Sequence, residues 1–168
     1  KEVIKKFLIK KRKKILDLGT KNTNPVDYSD FAHLLSKKIK KNSNQFGILV
    51  CGSGIGMYMA ANRHKNIRAA LCYDIKSTKL SRQHNNANVM TLGARLIKKK
   101  VALKCVSIFI KTDFKGGRHL RRVNKIWNIM SKLNKYMSNS YQNFFDNDLS
   151  TTDPDLYNSI KLELERQQ

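Results

Sequence analysis

Three short apolar runs, 46–51, 67–73 and 88–92, each give way to a polar, helically patterned stretch. That alternation admits few architectures. Runs of this length, rich in Ile, Leu, Val and Ala and apolar on both faces, suit a parallel sheet covered from both sides. Between them a helix is expected from about Gly56, carrying Met57, Met59, Ala60 and Ala61, with further helices over 76–83 and 96–111. The chain therefore reads as an α/β fold, a three-layer sandwich around a mostly parallel, Rossmann-like sheet with right-handed crossovers. Upstream, Ile4, Phe7 and Leu8 share one face of a short helix, 15–18 reads as another strand closed by Gly19, and 21–25 as loop. Asp27 or Ser29 can cap a second helix with Phe31, Leu34, Leu35 and Ile39 on one face.

With 168 residues the chain can bury one substantial core and retain a tail. The Gly116-Gly117 pair precedes a last long helix from Arg118. Composition then changes: 138–150 is rich in Ser and Asn, and Ser150-Thr151-Thr152-Asp153-Pro154 is a helix-start pattern. The expected division is a domain over 1–136, a linker over 137–150 and a helical tail over 151–168. No apolar run reaches the roughly 18 residues of a membrane span. Three cysteines cannot pair off evenly and no signal peptide is visible, which suggests a reduced, cytoplasmic setting. The net charge of +22 raises nucleic-acid binding. Lysines spread over solvent-facing helix positions, without an aromatic-interleaved stripe or paired-cysteine finger, favour a solvated basic surface instead.

The chemistry centres on Cys51-Gly52-Ser53-Gly54-Ile55-Gly56, a strand end followed by three alternating glycines and a helix start. Such a loop lets a ligand approach the backbone closely and offers N–H groups to an anion, at the strand end where open α/β sheets bind ligands. It is no P-loop, since no Gly-Lys-Ser/Thr follows, and Met57 breaks a dinucleotide fingerprint. A thiol at a helix N-terminus ionises readily and can act as base or nucleophile, so Cys51 reads as functional. Cys72 and Cys105, within apolar stretches, read as structural.

Two further clusters stand out. His84 lies in the polar stretch 81–88 just before a strand, where it can be an acid–base group or a solvated loop histidine. Arg118 and Arg122, four apart at a helix start, can grip a phosphate or form a basic helix surface. Cys51, His64, Cys72 and His84 lack the spacing of zinc ligands, so no metal site is expected.

Together the stretches 47–56, 60–62, 67–70, 80–85, 88–89, 92–95 and 116–119 resemble the ribose-5-phosphate isomerase B family, whose wider group includes the galactose-6-phosphate isomerase subunits. The resemblance covers roughly 1–133. It implies aldose–ketose isomerisation of ribose 5-phosphate and ribulose 5-phosphate through a cis-enediol(ate), with Cys51 moving a proton between C1 and C2. It further implies that the amides of Gly52, Gly54, Ile55 and Gly56, with the Ser53 hydroxyl, hold the enediolate oxygen. His84 would assist ring opening, Asn85 would bind sugar hydroxyls, and Arg95, Arg118 and Arg122 would bind the phosphate. Tyr28 matches a position near the site. The family uses no cofactor and shares its site between the subunits of a homodimer. Cys51 with His84 and Asn85 looks like the ribose type, since galactose-type subunits usually lack that cysteine.

The family's opening strand, which ends in an Asp-His pair that contacts the sugar, is not found here, and its loss would expose an unpaired edge. The stretches 144–155 and 163–168 resemble the extreme N-terminus of serine hydroxymethyltransferase. The expectation from both is an internal fragment of a fused or read-through product. The alternatives to an isomerase are a non-catalytic phosphosugar-binding or assembly module and a galactose-6-phosphate isomerase-type subunit.

Overall fold

The computed structural model describes residues 1–40, 44–126, 150 and 154–166. The chain forms two compact units, Lys1–Asn124 and Lys125–Gln168. The first carries α1 (Glu2–Lys10), α2 (Tyr28–Lys38), β1 (Gly47–Cys51), α3 (Ile55–Ala61), β2 (Ala69–Leu71), α4 (Ile75–Asn85), β3 (Val89–Gly93), α5 (Lys99–Lys111) and α6 (Arg118–Lys125), the last ending at the unit boundary. In the second, α7 (Pro154–Arg166) begins at the proline, with Leu156, Tyr157, Ile160 and Leu162 exposed. The expected linker at 137–149 and the helix-start residues 151–153 lie outside the described residues.

The three strands are parallel in the order β1-β3-β2, with Gly47 opposite Val89, Cys51 opposite Gly93, and Ala69 opposite Val89. Strand alternation divides the interior in two. Leu49 and Val89 point to one face, where Ala32, Leu35 and Ile39 of the α2 region pack with Met57 and Ala61 of α3. Met90 and Leu92 point to the other, against Ala102, Cys105, Val106 and Phe109 of α5, with Ile4, Phe7 and Leu8 of α1 closing over them. This is the expected three-layer arrangement.

Asparagines finish the amino ends of the strands. The Asn62 carboxamide accepts from the Ala69 N–H at 2.9 Å and donates to the Ala69 carbonyl at 3.2 Å, so it stands in for a neighbouring strand. Asn88 accepts from the Arg68 N–H at 2.8 Å and donates to the Asn66 carbonyl at 2.8 Å. Asn88→Ala strands a donor and an acceptor in a part-buried turn, and should lower stability by about 2 kcal/mol in urea unfolding. A loss below about 0.5 kcal/mol would show that water replaces the side chain.

Several expectations need correction. Residues 15–18 are not a strand, and Leu16 is 71% exposed. Their alternation is apolar enough, but a strand requires a hydrogen-bonded neighbour, and among the described residues β1 pairs with β3 alone. A groove of about 970 Å³ separates 15–19 from the free edge of β1, with Phe31 and Leu35 among its lining residues. Charge holds the segment instead: Asp17 receives Lys1 at 3.1 Å and Lys5 at 2.9 Å, and the Gly19 N–H donates to it at 3.1 Å. The Lys5 ammonium, the Gly19 N–H and Lys1 hold its carboxyl well below the usual carboxylate range.

Leu34, expected on the apolar face of the second helix, is exposed. The buried face of α2 runs instead through Ala32, Leu35 and Ser36, whose hydroxyl donates to the Ala32 carbonyl at 2.7 Å. Helix α5 begins at Lys99, three residues later than expected, because 94–97 forms a turn bonded back to Cys51, Gly52 and Gly93.

Candidate active site

The glycine loop spans the carboxyl ends of all three strands. Cys51 ends β1 half-buried, and the Gly54 N–H donates to its Sγ at 3.1 Å. Gly54 is the N-cap of α3 with φ of +83°, a left-handed conformation that aims this N–H at the sulfur. The Ile55 N–H donates to Ser53 Oγ at 3.3 Å, so hydroxyl and helix terminus point into one small space. The Gly54 and Ile55 N–H groups thus sit beside the thiol with the α3 dipole aligned in the same sense, an arrangement that would favour an anion there.

Neighbouring chain segments wall this cradle. The Ala94 N–H donates to the Cys51 carbonyl at 2.8 Å and the Arg95 N–H to the Gly52 carbonyl at 3.0 Å. Arg95 lies over Gly52: a Cβ there would stand 3.5 Å from the guanidinium carbon. The Tyr28 ring, at the start of α2, lies over Gly56 with its hydroxyl 2.8 Å from where a Cβ would stand. Cys51, Gly52, Ser53, Gly54, Ile55, Gly56, Tyr28 and Arg95 therefore form one cluster. Cys72 and Cys105 are buried and free, and burial pushes the Cys72 thiol up to about 11 and Cys105 also upward. Both are structural, as expected.

The remaining sequence-selected residues are elsewhere. Helix α4 starts beyond β2 at Asp74, whose side chain accepts from the Ser77 N–H at 2.7 Å, and returns to the amino ends of the strands. It ends at Asn85, capped by Asn86 with φ of +48°. His84 thus lies in the last helical turn, not in a loop, because α4 continues through the polar stretch to this left-handed cap. Buried Arg82 fixes this corner. It donates to the carbonyls of Ala87 and, at 3.1 Å, Thr112, and stacks 4.7 Å above Phe46 and 5.5 Å above Phe109.

Here α6 begins, with Arg118 and Arg122 exposed on its first turns and Asn85 exposed beside them in sequence with His84. The His119 ring stacks on His84 with centroids 4.2 Å apart and planes 6° from parallel. Burial, then His84, Arg118, Arg122 and Lys115, hold the His119 imidazole below its ordinary value. Two clusters thus occupy opposite ends of the sheet, separated by the length of β1, roughly 13 Å at about 3.3 Å per residue.

No sequence pattern marks His119 as the partner of His84, although it sits in the Gly116-Gly117-Arg118-His119 motif. The pairing of His33 Nδ1 with His64 Nε2 at 2.8 Å joins α2 to the turn after α3, and no sequence pattern marks it. Burial first, then His33 and Lys37, pushes His64 down. Among the described residues no three His, Cys, Asp or Glu side chains converge as metal ligands, and no helix is long and apolar enough to cross a membrane.

A family profile described as Ribose/Galactose Isomerase matches residues 1–126. The probable ribose-5-phosphate isomerase B of Mycoplasma genitalium is 44% identical over 128 residues, covering 75% of this chain and 84% of that protein. Ribose-5-phosphate isomerase B of Escherichia coli is 34% identical over 127 residues, covering 76% and 85%. Among solved structures, ribose-5-phosphate isomerase B from M. genitalium with bound ribulose-5-phosphate has a TM-score of 0.74 at 43% identity, covering 78% of this chain and 88% of that one. The Thermotoga maritima ribose 5-phosphate isomerase scores 0.73 at 44% identity, covering 76% and 88%.

Proposed function

Because the chain belongs to the ribose/galactose isomerase family, we propose that it interconverts ribose 5-phosphate and ribulose 5-phosphate, with Cys51 as the base. The observation that carries this reading is the Cys51 sulfur at the mouth of an amide-lined cradle, 3.1 Å from the Gly54 nitrogen. The thiolate takes the proton from C2 of the open-chain aldose, leaving an enediolate. Its negative oxygen is met by the N–H groups of the loop and the Ser53 hydroxyl, a preorganised oxyanion site. The O2 hydroxyl proton passes to O1, and the same sulfur returns its proton to C1 on the same face, which gives the ketose through a cis-enediol.

Cys51 and His84 lie too far apart in one chain to act on one pentose. The reading therefore includes a homodimer with shared sites: one copy supplies Cys51, the loop, Tyr28 and Arg95, and the second supplies His84, Asn85, Arg118 and Arg122. Two exposed arginines four apart on α6 suit a phosphate reaching across from the other copy. A reduced, cytoplasmic environment fits the three free thiols.

Assay of the purified chain with ribose 5-phosphate tests the activity, and subunit complementation tests the sharing. Cys51→Ser and the double variant Arg118→Ala/Arg122→Ala should each be inactive alone. Co-expressed, they should recover about a quarter of wild-type activity, since half the dimers carry one intact site of two. No recovery would show that each chain holds its own complete site. Ribose 5-phosphate binding without turnover by the wild type would instead favour a non-catalytic binding module.

A further inference from the structure

We infer that His119 is a positioning residue for His84, its stacked ring fixing the plane in which the His84 imidazole meets the sugar. The inference rests on the isomerase reading, in which His84 opens the furanose ring.

Backbone geometry delivers His119 to this position. Gly116 and Gly117 have φ of +63° and +53°, and a Cβ at either would meet nothing within 4 Å. Their requirement is therefore conformational, not spatial: two successive left-handed residues turn the chain so that α6 starts against the end of α4. The Lys115 N–H donates to the Gln83 carbonyl at 3.1 Å, which ties this turn to the residue before His84. The His119 N–H in turn donates to the Gly116 carbonyl at 3.0 Å.

His84 occupies the last turn of α4 and His119 the first turn of α6, so the two rings meet where the helix ends abut. Burial, then His84, Arg118, Arg122 and Lys115, disfavour a cation at His119. Its ring therefore offers His84 a flat aromatic face, 4.2 Å away and 6° from parallel. The terminal torsion of a histidine is broad, and a parallel neighbour selects one plane from it. Stacking engages only the ring faces, so the nitrogens on the edge remain available to substrate.

The direction of reaction separates positioning from general packing. Ribose 5-phosphate enters as a furanose that must open. Ribulose 5-phosphate has its 5-hydroxyl blocked by the phosphate and is already open-chain. At saturation His119→Ala should lower kcat from ribose 5-phosphate about tenfold, through misorientation of an acid–base group. It should lower kcat from ribulose 5-phosphate, whose open-chain product can leave and close in solution, less than about twofold. The KM for ribose 5-phosphate should fall, so that the ratio of the two kcat/KM values stays at the equilibrium constant. His119→Phe keeps a flat stacking ring and should restore the forward rate to within about threefold of wild type. In proton NMR the ring-current shielding of the His84 C–H signals should vanish in His119→Ala and persist in His119→Phe. Equal losses in both directions, or a forward rate unchanged in His119→Ala, would overturn the positioning role. A wild-type chain without turnover would refute the isomerase reading itself, and the NMR comparison would then decide the stacking alone.

Discussion

Cys51→Ser is expected to lower kcat by about 10³-fold or more while changing KM by less than about threefold, because general-base transfer supplies about 10²–10⁴-fold and serine binds without supplying it. Size is not the obstacle. The serine oxygen can accept the Gly54 N–H that the sulfur accepts at 3.1 Å, so the cradle should keep its shape. What disappears is the sulfur that takes the proton, since an alcohol is a far weaker acid than a thiol and supplies no comparable anion. Two measurements isolate that step. Calorimetric titration with ribose 5-phosphate should give nearly wild-type affinity. Incorporation of solvent deuterium at the carbon-bound positions should fall in parallel with turnover, since both require the enediolate. Turnover within tenfold of wild type would remove Cys51 as the base and point to another group at the same strand end.

The cradle could be read from sequence because everything that specifies it is local. An apolar run, a cysteine, three alternating glycines and a helix start determine a strand, a turn and an amide cluster within ten residues. The segment 15–18 failed for the opposite reason. Its pattern gives it the propensity to be a strand, but a strand is completed by a partner, and a window of four residues contains no information about one. Leu34 and Leu35 show a subtler limit. Adjacent residues on a helix differ by about 100°, and the position of the buried stripe depends on the neighbouring surface. Here that surface admits Ala32 and Ser36, small residues that let α2 and α3 approach closely, and it leaves Leu34 outside.

The separation of His84 from Cys51 also required three dimensions. Sequence order places the histidine between two strands whose carboxyl ends bear the cradle, yet α4 is eleven residues long. At about 1.5 Å per residue that length returns the chain to the opposite end of the sheet. Helix length thus sets His84 at the other end of the sheet from Cys51, and the shared-site proposal rests on that separation.

Gly93→Ala should be the most disruptive single-methyl change in the cradle. A Cβ at Gly93 would run into the Ser53 carbonyl and lie 3.0 Å from its Cα. These are backbone atoms, so no side-chain rotation relieves the clash, and the loop must move off β3. The expected loss is about 3 kcal/mol, the upper range for overpacking, and turnover should fall at least about 100-fold through displacement of the amides. Gly47→Ala supplies the contrast at the other end of β1. Its Cβ would also be crowded, but by Leu35, Ile39 and Val89 side-chain tips, which can shift. That variant should lose about 1–2 kcal/mol and keep kcat within about twofold, since repacking at the amino end leaves the cradle in place. Thermal unfolding and steady-state kinetics on the pair separate the two consequences. If Gly93→Ala lost stability but not activity, the loop would be able to leave β3 and still hold the enediolate, and the rigid backing of the cradle by Gly93 would not be what positions its amides.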